Sequence, residues 1–222
     1  MVNATVNAQD LRAILAYIAE TIHRREADLN ALDSAIGDGD HGITMRNGFD
    51  AVKARVAELP AEAGVDTILE EAGYAFMEAT GGAIGILLGK SLVAGGQALG
   101  GRPALGVPEL KMWLGAMEST ISSTGKSQPG DKTILDSVHA ANQALAPFTD
   151  DAEELVTALA SAAEAAEQAA QATANMLCQK GRASRLGERV LGHPDPGAVS
   201  FGVILRAMLE WIQQNRPGQV ST

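Results

Sequence analysis

The sequence predicts an all-α fold: an up-and-down bundle of about eight antiparallel helices. Three observations carry this. Apolar residues recur at three-and-four spacing through most of the chain, the mark of a helix with one buried face. Of the 222 residues, 46% are hydrophobic but only 4% aromatic, and alanine recurs throughout. That mix suits close-packed helices better than strands, which draw on β-branched and aromatic residues. Glycine and proline punctuate the chain at the intervals a helix bundle needs, and no strand pattern is convincing.

The first helix carries Leu11, Ile14, Leu15, Ile18 and Ile22, behind Asn7 as cap and with Asp10 in its first turn. The second carries Met45, Phe49, Val52, Val56 and Leu59 and stops at Pro60. The third uses Ile68, Leu69, Ala72 and Phe76 and ends at Gly81-Gly82; the fourth runs from near Ile84 to the Gly100-Gly101-Arg102-Pro103 turn. Pro108 opens the fifth, with Leu110, Trp113, Met117 and Ile121 on one face. Ile134, Leu135, Val138, Ala141 and Leu145 mark the sixth, which ends before Pro147. A long alanine-rich seventh spans about Ala152 to Gln179, and Val203, Ile204, Ala207, Met208, Trp211 and Ile212 mark the eighth. The Trp and Met positions of helices five and eight are expected in the core.

Length allows one large domain over residues 1–222. With 27 acidic against 17 basic side chains the formal charge is −10, and no basic stripe exists to attract nucleic acid. Phosphate chemistry on so acidic a chain needs cations. The lone Cys178 excludes an internal disulfide and is read as an inert helix residue. The N-terminus lacks the basic-then-apolar pattern of a signal peptide, and no run reaches about 18 uninterrupted apolar residues, so no membrane span and a cytoplasmic location are expected.

The connections fall into two groups. Those after helices two, four and six (Pro60 to Gly64, Gly100 to Val107, Ala146 to Asp151) are ordinary turns. Those after helices one, three, five and seven read LDSAIGDGDHG, TGGAIG, TGKSQPGDKT and KGRASRLGERVLGHPDPGAVS, rich in Gly, Asp, His, Lys, Arg and Ser. If helices alternate up and down, all four of these loaded loops lie at one end.

Asp33, Asp38 and Asp40 lie within eight residues of one another, among Gly37, Gly39 and Gly42. Carboxylates so crowded repel unless a cation sits among them; hard oxygen ligands favour Mg²⁺ or Ca²⁺ over zinc, and without the alternating ligands and closing glutamate of an EF-hand loop Mg²⁺ is the better fit. The bland alternative is a surface Asp-Gly turn. Gly37 to Gly42 also fits a dinucleotide fingerprint, but it follows a helix and presents two aspartates to a pyrophosphate. Neither GKS segment is a Walker loop: Ile84 and Thr120 stand where that loop requires glycine. Gly81-Gly82 leads into a helix, whose N-terminus attracts anions. Lys126, Lys132 and Arg182 can offset phosphate charge, or the two lysines are simply solvated. His41 either donates to a phosphate or serves the loop, and His193 is expected to serve its turn.

DSAIGDGDHGITM, GKSQPGDKT and GRASRLGERVLGHPDPGAVS, in this order, closely resemble the nucleotide-binding L subunit or L domain of dihydroxyacetone kinases. The resemblance runs from the first helix to near the C-terminus. It implies an up-and-down barrel of eight helices with the nucleotide site at one end. It implies that Asp33, Asp38 and Asp40 hold two Mg²⁺ ions bridging the phosphates of ADP or ATP. His41, Gly42, Ile43, Thr44, Ala83, Ile84, Gly125, Ile134, Arg182, Asp195, Pro196 and Gly197 would line the nucleotide. The acceptor sugar, a small ketose, would be held by a separate K subunit. The phosphoryl group would come from ATP, or from ADP kept as a coenzyme and rephosphorylated by a phosphotransferase-system protein; a separate L subunit fits either mode, and the second is favoured. A homodimer is the expected assembly. A nucleotide-loaded regulatory partner is the competing function. Three positions depart from the family: Ile84 replaces the usual serine of Gly-Gly-x-Ser-Gly, Arg185 a common aromatic, and Ile134 a common methionine near the adenine.

Overall fold

The structure is a computed structural model, and it describes residues 5–149 and 155–215. Eight α-helices occupy most of these residues: α1 (Ala8–Ile36), α2 (His41–Glu58), α3 (Val65–Ala79), α4 (Gly82–Leu99), α5 (Val107–Gly125), α6 (Ile134–Ala144), α7 (Leu155–Ala172) and α8 (Pro196–Asn215). Each packs on the next in sequence, and α1 packs on α8, so the ring closes. Short connections make sequence neighbours antiparallel. Two two-residue strands, β1 (Val6–Asn7) and β2 (Ala104–Leu105), pair antiparallel, a bridge too short for any periodicity to announce.

Capping chemistry fixes several starts. Asn7 Oδ1 accepts from Asp10 N at 3.0 Å while Asp10 Oδ2 accepts from Asn7 N at 2.9 Å, the reciprocal box that opens α1. Thr133 and Asp136 form the same box on α6. The predicted helical faces become the core: Ile14, Ile22, Met45, Phe49, Phe76, Leu110, Ile121, Ile204 and Ile212 are all buried, and Leu114, Phe201 and Leu205, which the face reading left out, are buried with them. Trp113, Met117 and Met208 join them, and Trp211 is half-buried against them. Phe49 and Phe76 meet edge to face at 5.4 Å between ring centroids. Among the described residues, Trp113 Nε1 is the one buried side-chain nitrogen or oxygen without a hydrogen-bond partner.

By length and composition α4 could cross a membrane, but half of it is buried inside the barrel, and core packing accounts for its apolarity. Helix bounds differ from the sequence reading at several ends: α2 and α8 start at His41 and Pro196, inside stretches read as connections, and two further shifts bear on the site. α1 runs on to Ile36, so Asp33 stands in a helical turn rather than in a loop. α7 ends at Ala172, not Gln179, because Thr173 turns its hydroxyl back to the Ala170 carbonyl at 2.5 Å and begins a 3-10 turn. Its expected start at Ala152 lies outside the described residues.

Candidate functional site

The four loaded connections do meet at one end. Arg182, between α7 and α8, pairs with Asp38, between α1 and α2. His41 Nε2 lies 3.2 Å from Ser200 Oγ, joining α2 to α8. Gly125 at the end of α5 lies against Leu87 in α4, and Gly197 at the start of α8 against Ile134 at the start of α6. These pairs link the α1–α2 connection to the α7–α8 connection, α8 to α6 and α5 to α4 at that end of the barrel.

Asp33, Asp38 and Asp40 each offer a carboxylate oxygen within 4.8 Å of the others. The fold builds this cluster locally. Asp33 Oδ2 accepts from Gly39 N at 2.8 Å and Asp40 N at 3.1 Å, so the last turn of α1 folds the loop around its own carboxylate. Gly39 takes φ +81°, and Gly37 sits where a side chain would collide with Asp33. Although Asp40 is exposed, slight desolvation raises its carboxyl, as do the charge of Asp38, a hydrogen bond with it and the charge of Asp33; Arg182 opposes the rise. Mutual repulsion relieved by a cation is the condition a divalent site creates. An all-oxygen, partly exposed set of three carboxylates leaves room for outside oxygens and so fits Mg²⁺ completed by water or phosphate.

α2 begins directly after Asp40, with Gly42 buried against the backbone of α1: a Cβ there would strike the Glu26 carbonyl. Asn30 Oδ1 accepts from Ile43 N at 3.2 Å, leaving Ile43 exposed and Thr44 half-buried at the mouth. His41 is buried, and burial lowers its pKa to about 4 against the opposing pull of Asp33 and the Pro196 carbonyl. The imidazole is therefore neutral and engaged by α8, and the anion-attracting feature at this point is the α2 N-terminus. At the start of α4 Gly81, Gly82 and Ala83 are exposed and Ile84 is half-buried.

Asp195 opens α8: its Oδ2 accepts from Ala198 N at 2.7 Å, with Pro196 in the first helical position. Burial pushes its carboxyl up to about 7, opposed by the Ala198 hydrogen bond and Lys132 and assisted by Asp136 and Asp33.

Lys132 corrects the sequence reading most sharply. It is neither solvated nor aimed at a ligand; it is 1% exposed, and its ammonium donates to the carbonyls of Thr173, Val190 and His193 at 2.7, 2.9 and 2.6 Å. His193 therefore serves its turn through its backbone. Lys126 is exposed at the end of α5 with φ +48°. Cys178 is not helical; its thiol donates to the Lys180 carbonyl at 3.0 Å, and burial raises its pKa. Residues that sequence reasoning passed over include Ser200 and Thr173, whose partners are remote in sequence. Asp136 is another: it accepts from Gly130 N at 2.5 Å and Thr133 N at 2.7 Å. Its signal, a threonine three residues before an acid and an apolar run, was readable.

The DAK2 domain family matches residues 35–210. The chain is 40% identical over 182 residues to the ADP-binding subunit of the PEP-dependent dihydroxyacetone kinase of Escherichia coli K12, covering 81% of this chain and 85% of that protein. It is 37% identical over 203 residues to the triokinase/FMN cyclase of Bos taurus, covering 90% of this chain but only 34% of that protein. The chain thus spans about a third of the length of such relatives. The dihydroxyacetone kinase of C. freundii, solved in complex with AMP-PNP and Mg²⁺, superimposes with a TM-score of 0.66 at 27% identity, over 90% of this chain and 33% of that one.

Proposed function

The chain belongs to the DAK2-domain family of kinases, and on that premise we propose that it is the nucleotide-binding unit of a dihydroxyacetone-type kinase, one domain over residues 1–222. Asp33, Asp38 and Asp40 are the ligands of two Mg²⁺ ions, and ADP or ATP lies across the same end of the barrel. When bound, the ions supply charge neutralisation that a chain of net charge −10 cannot supply by itself. The observation that carries this reading is the meeting of three carboxylates within 4.8 Å with Arg182, a cation delivered from about 140 residues away in the chain.

The remaining roles follow from what each residue offers. The start of α2 (His41, Gly42) and that of α4 (Ala83, Ile84) present backbone N–H groups and a helix dipole to phosphate oxygens, while Ile43 and Thr44, whose N–H groups are held by Asn30 and the Asp40 carbonyl, line the mouth with their side chains. With Ile84 in place of a hydroxyl residue, the α4 turn binds through its backbone alone. Gly197 packs on Ile134 and, with Pro196, offers an apolar surface suited to a base, with Gly125 beside Leu87 lining the same site. Arg182 exchanges its contact with Asp38 for a phosphate, and Asp195 holds the α8 N-terminus in place. Phosphoryl transfer asks for position and charge compensation more than for covalent chemistry, and none of these residues acts as a nucleophile.

The acceptor is a small ketose held on a separate K subunit, and the phosphoryl donor is a phosphotransferase-system protein that recharges bound ADP. Support for the bound-ADP mode is the 40% identity to an ADP-binding subunit of a PEP-dependent enzyme, which this chain covers over 85% of its length. Likeness to a triokinase supports the ATP-dependent alternative. Ile84 favours a second reading, a regulator that carries nucleotide without transfer. Incubating the chain with a K subunit, dihydroxyacetone and either ATP or a phosphorylated carrier separates them. Sugar phosphate with one donor is the expected result; none with any donor, while nucleotide still binds, leaves the regulator.

A further inference from the structure

The chain between α7 and α8 leaves the barrel at Thr173 and returns at His193, and Arg182 lies near the middle of this excursion, on Asp38. One ammonium group gathers the excursion at its base. Lys132 belongs to a different connection, yet its three donors go to Thr173, Val190 and His193, one carbonyl at the departure and two at the return. Its own backbone takes φ +61°, a conformation that costs a non-glycine residue energy and is kept only where the surroundings demand it. Further bonds tie the same base: Gly192 N donates to the Ala174 carbonyl at 2.8 Å, and Asp195 N to Thr173 Oγ1 at 2.8 Å.

Three backbone carbonyls at 2.6–2.9 Å around one buried positive charge, with the Asp195 carboxylate acting on it, resemble the way carbonyl oxygens replace the hydration shell of a potassium ion. We propose that Lys132 is a positioning residue, a tethered monovalent cation that closes the base of segment 173–193 and so holds Arg182 over the aspartates. The cage it fills is a latent site for potassium or a small ammonium ion. The consequence for nucleotide retention rests on the function proposed above; the clasp itself does not.

An ordinary buried strut would lower the stability of the whole barrel when removed and would ignore the salt present. The clasp predicts a local and cation-dependent effect. Lys132→Ala empties both the stem and the head of the side chain; Lys132→Met removes the charge but keeps the stem filled. Amide hydrogen exchange over residues 174–192, measured without nucleotide in choline chloride, is expected to quicken in both variants while α1 to α4 keep their protection. Potassium chloride or ethylammonium chloride restores protection in Lys132→Ala and not in Lys132→Met. With Mg²⁺ present, ADP leaves each variant about tenfold faster or more, the scale of one misplaced charge-assisted contact. The same cations slow its release from Lys132→Ala.

Wild-type protection of the segment in choline would overturn the proposal, and so would loosening that spreads evenly through the barrel and answers to no cation. A Lys132→Ala chain that folds only in potassium or ethylammonium gives the same positive result in stronger form, whereas the same rescue of Lys132→Met overturns the proposal. Variants that fold in no salt place Lys132 in the global core and overturn it. If the segment responds as predicted but the wild-type chain binds no ADP, the clasp stands and the nucleotide reading falls.

Discussion

The aspartate loop and the base of the segment between α7 and α8, where Lys132 and Asp131 of the α5–α6 connection enter, both carry charge, yet they spend it differently. In the first, one carboxylate, Asp33, is used to fold the loop, and Asp38 and Asp40 remain exposed beside it. In the second region charge is consumed internally: Lys132 by three carbonyls, Asp195 by the start of α8, and neighbouring Asp131 by Gln128 N and Lys180. The backbone amides and carbonyls within reach decide which charged loop residues remain for a ligand. Buried carbonyls and helix starts must be satisfied, and the nearest side chain is taken for that purpose first.

The contrast is sharpest in the aspartates themselves. Replacing Asp33, Asp38 and Asp40 together by alanine is expected to weaken Mg²⁺-dependent nucleotide binding by roughly a hundredfold or more, since losing outer-shell partners alone costs 10–100-fold. Helical circular dichroism should be unchanged. A parallel loss of helix would mean that these charges, like that of Lys132, belong to the fold.

Beneath that loop the packing is tight, and at the start of α4 it is open. Gly42→Ala drives a Cβ into the α1 backbone and is expected to cost about 1–3 kcal/mol in denaturant unfolding. Gly81→Ala meets nothing within 4 Å and should stay within about 0.5 kcal/mol of wild type. Equal effects would contradict the close approach of α1 and α2.

Asp195 tests whether consumed charge has a cost. Its folded pKa of about 7 lies above the unfolded value, so the folded state binds more protons between about pH 4 and pH 7. Stability from this group is therefore fully present below about pH 4 and drains away as pH rises to about 7, by an amount on the order of 1–3 kcal/mol. Asp195→Asn, which still caps, should flatten that part of the metal-free stability profile. An unchanged slope removes Asp195 as its source. The smallest effect belongs to Arg182→Gln: its pair with Asp38 is exposed, and such pairs contribute about 0–1 kcal/mol, so the melting temperature should hardly move while nucleotide affinity falls.

Much of this was legible in the sequence because its causes are local. Period-3.6 faces, the Asn7 cap and the Gly and Pro stops gave eight helices, and alternation of short connections placed the four loaded loops together. The aspartate cluster was visible because it spans eight residues. What escaped depended on distant partners. Nothing near His41 announces Ser200, 159 residues away, and nothing near Lys132 announces carbonyls 41 to 61 residues on. The early end of α7 follows from Thr173 bonding backwards, a choice that an alanine-rich pattern does not reveal.

Calorimetric titration of the wild-type chain with ADP, in Mg²⁺ and again in excess chelator, reads the central claim most directly. Binding in Mg²⁺ that collapses on chelation, and does so only while Asp38 and Asp40 are intact, is the predicted result. Equal affinity in both buffers would mean that the nucleotide, if held at all, is held without the carboxylates.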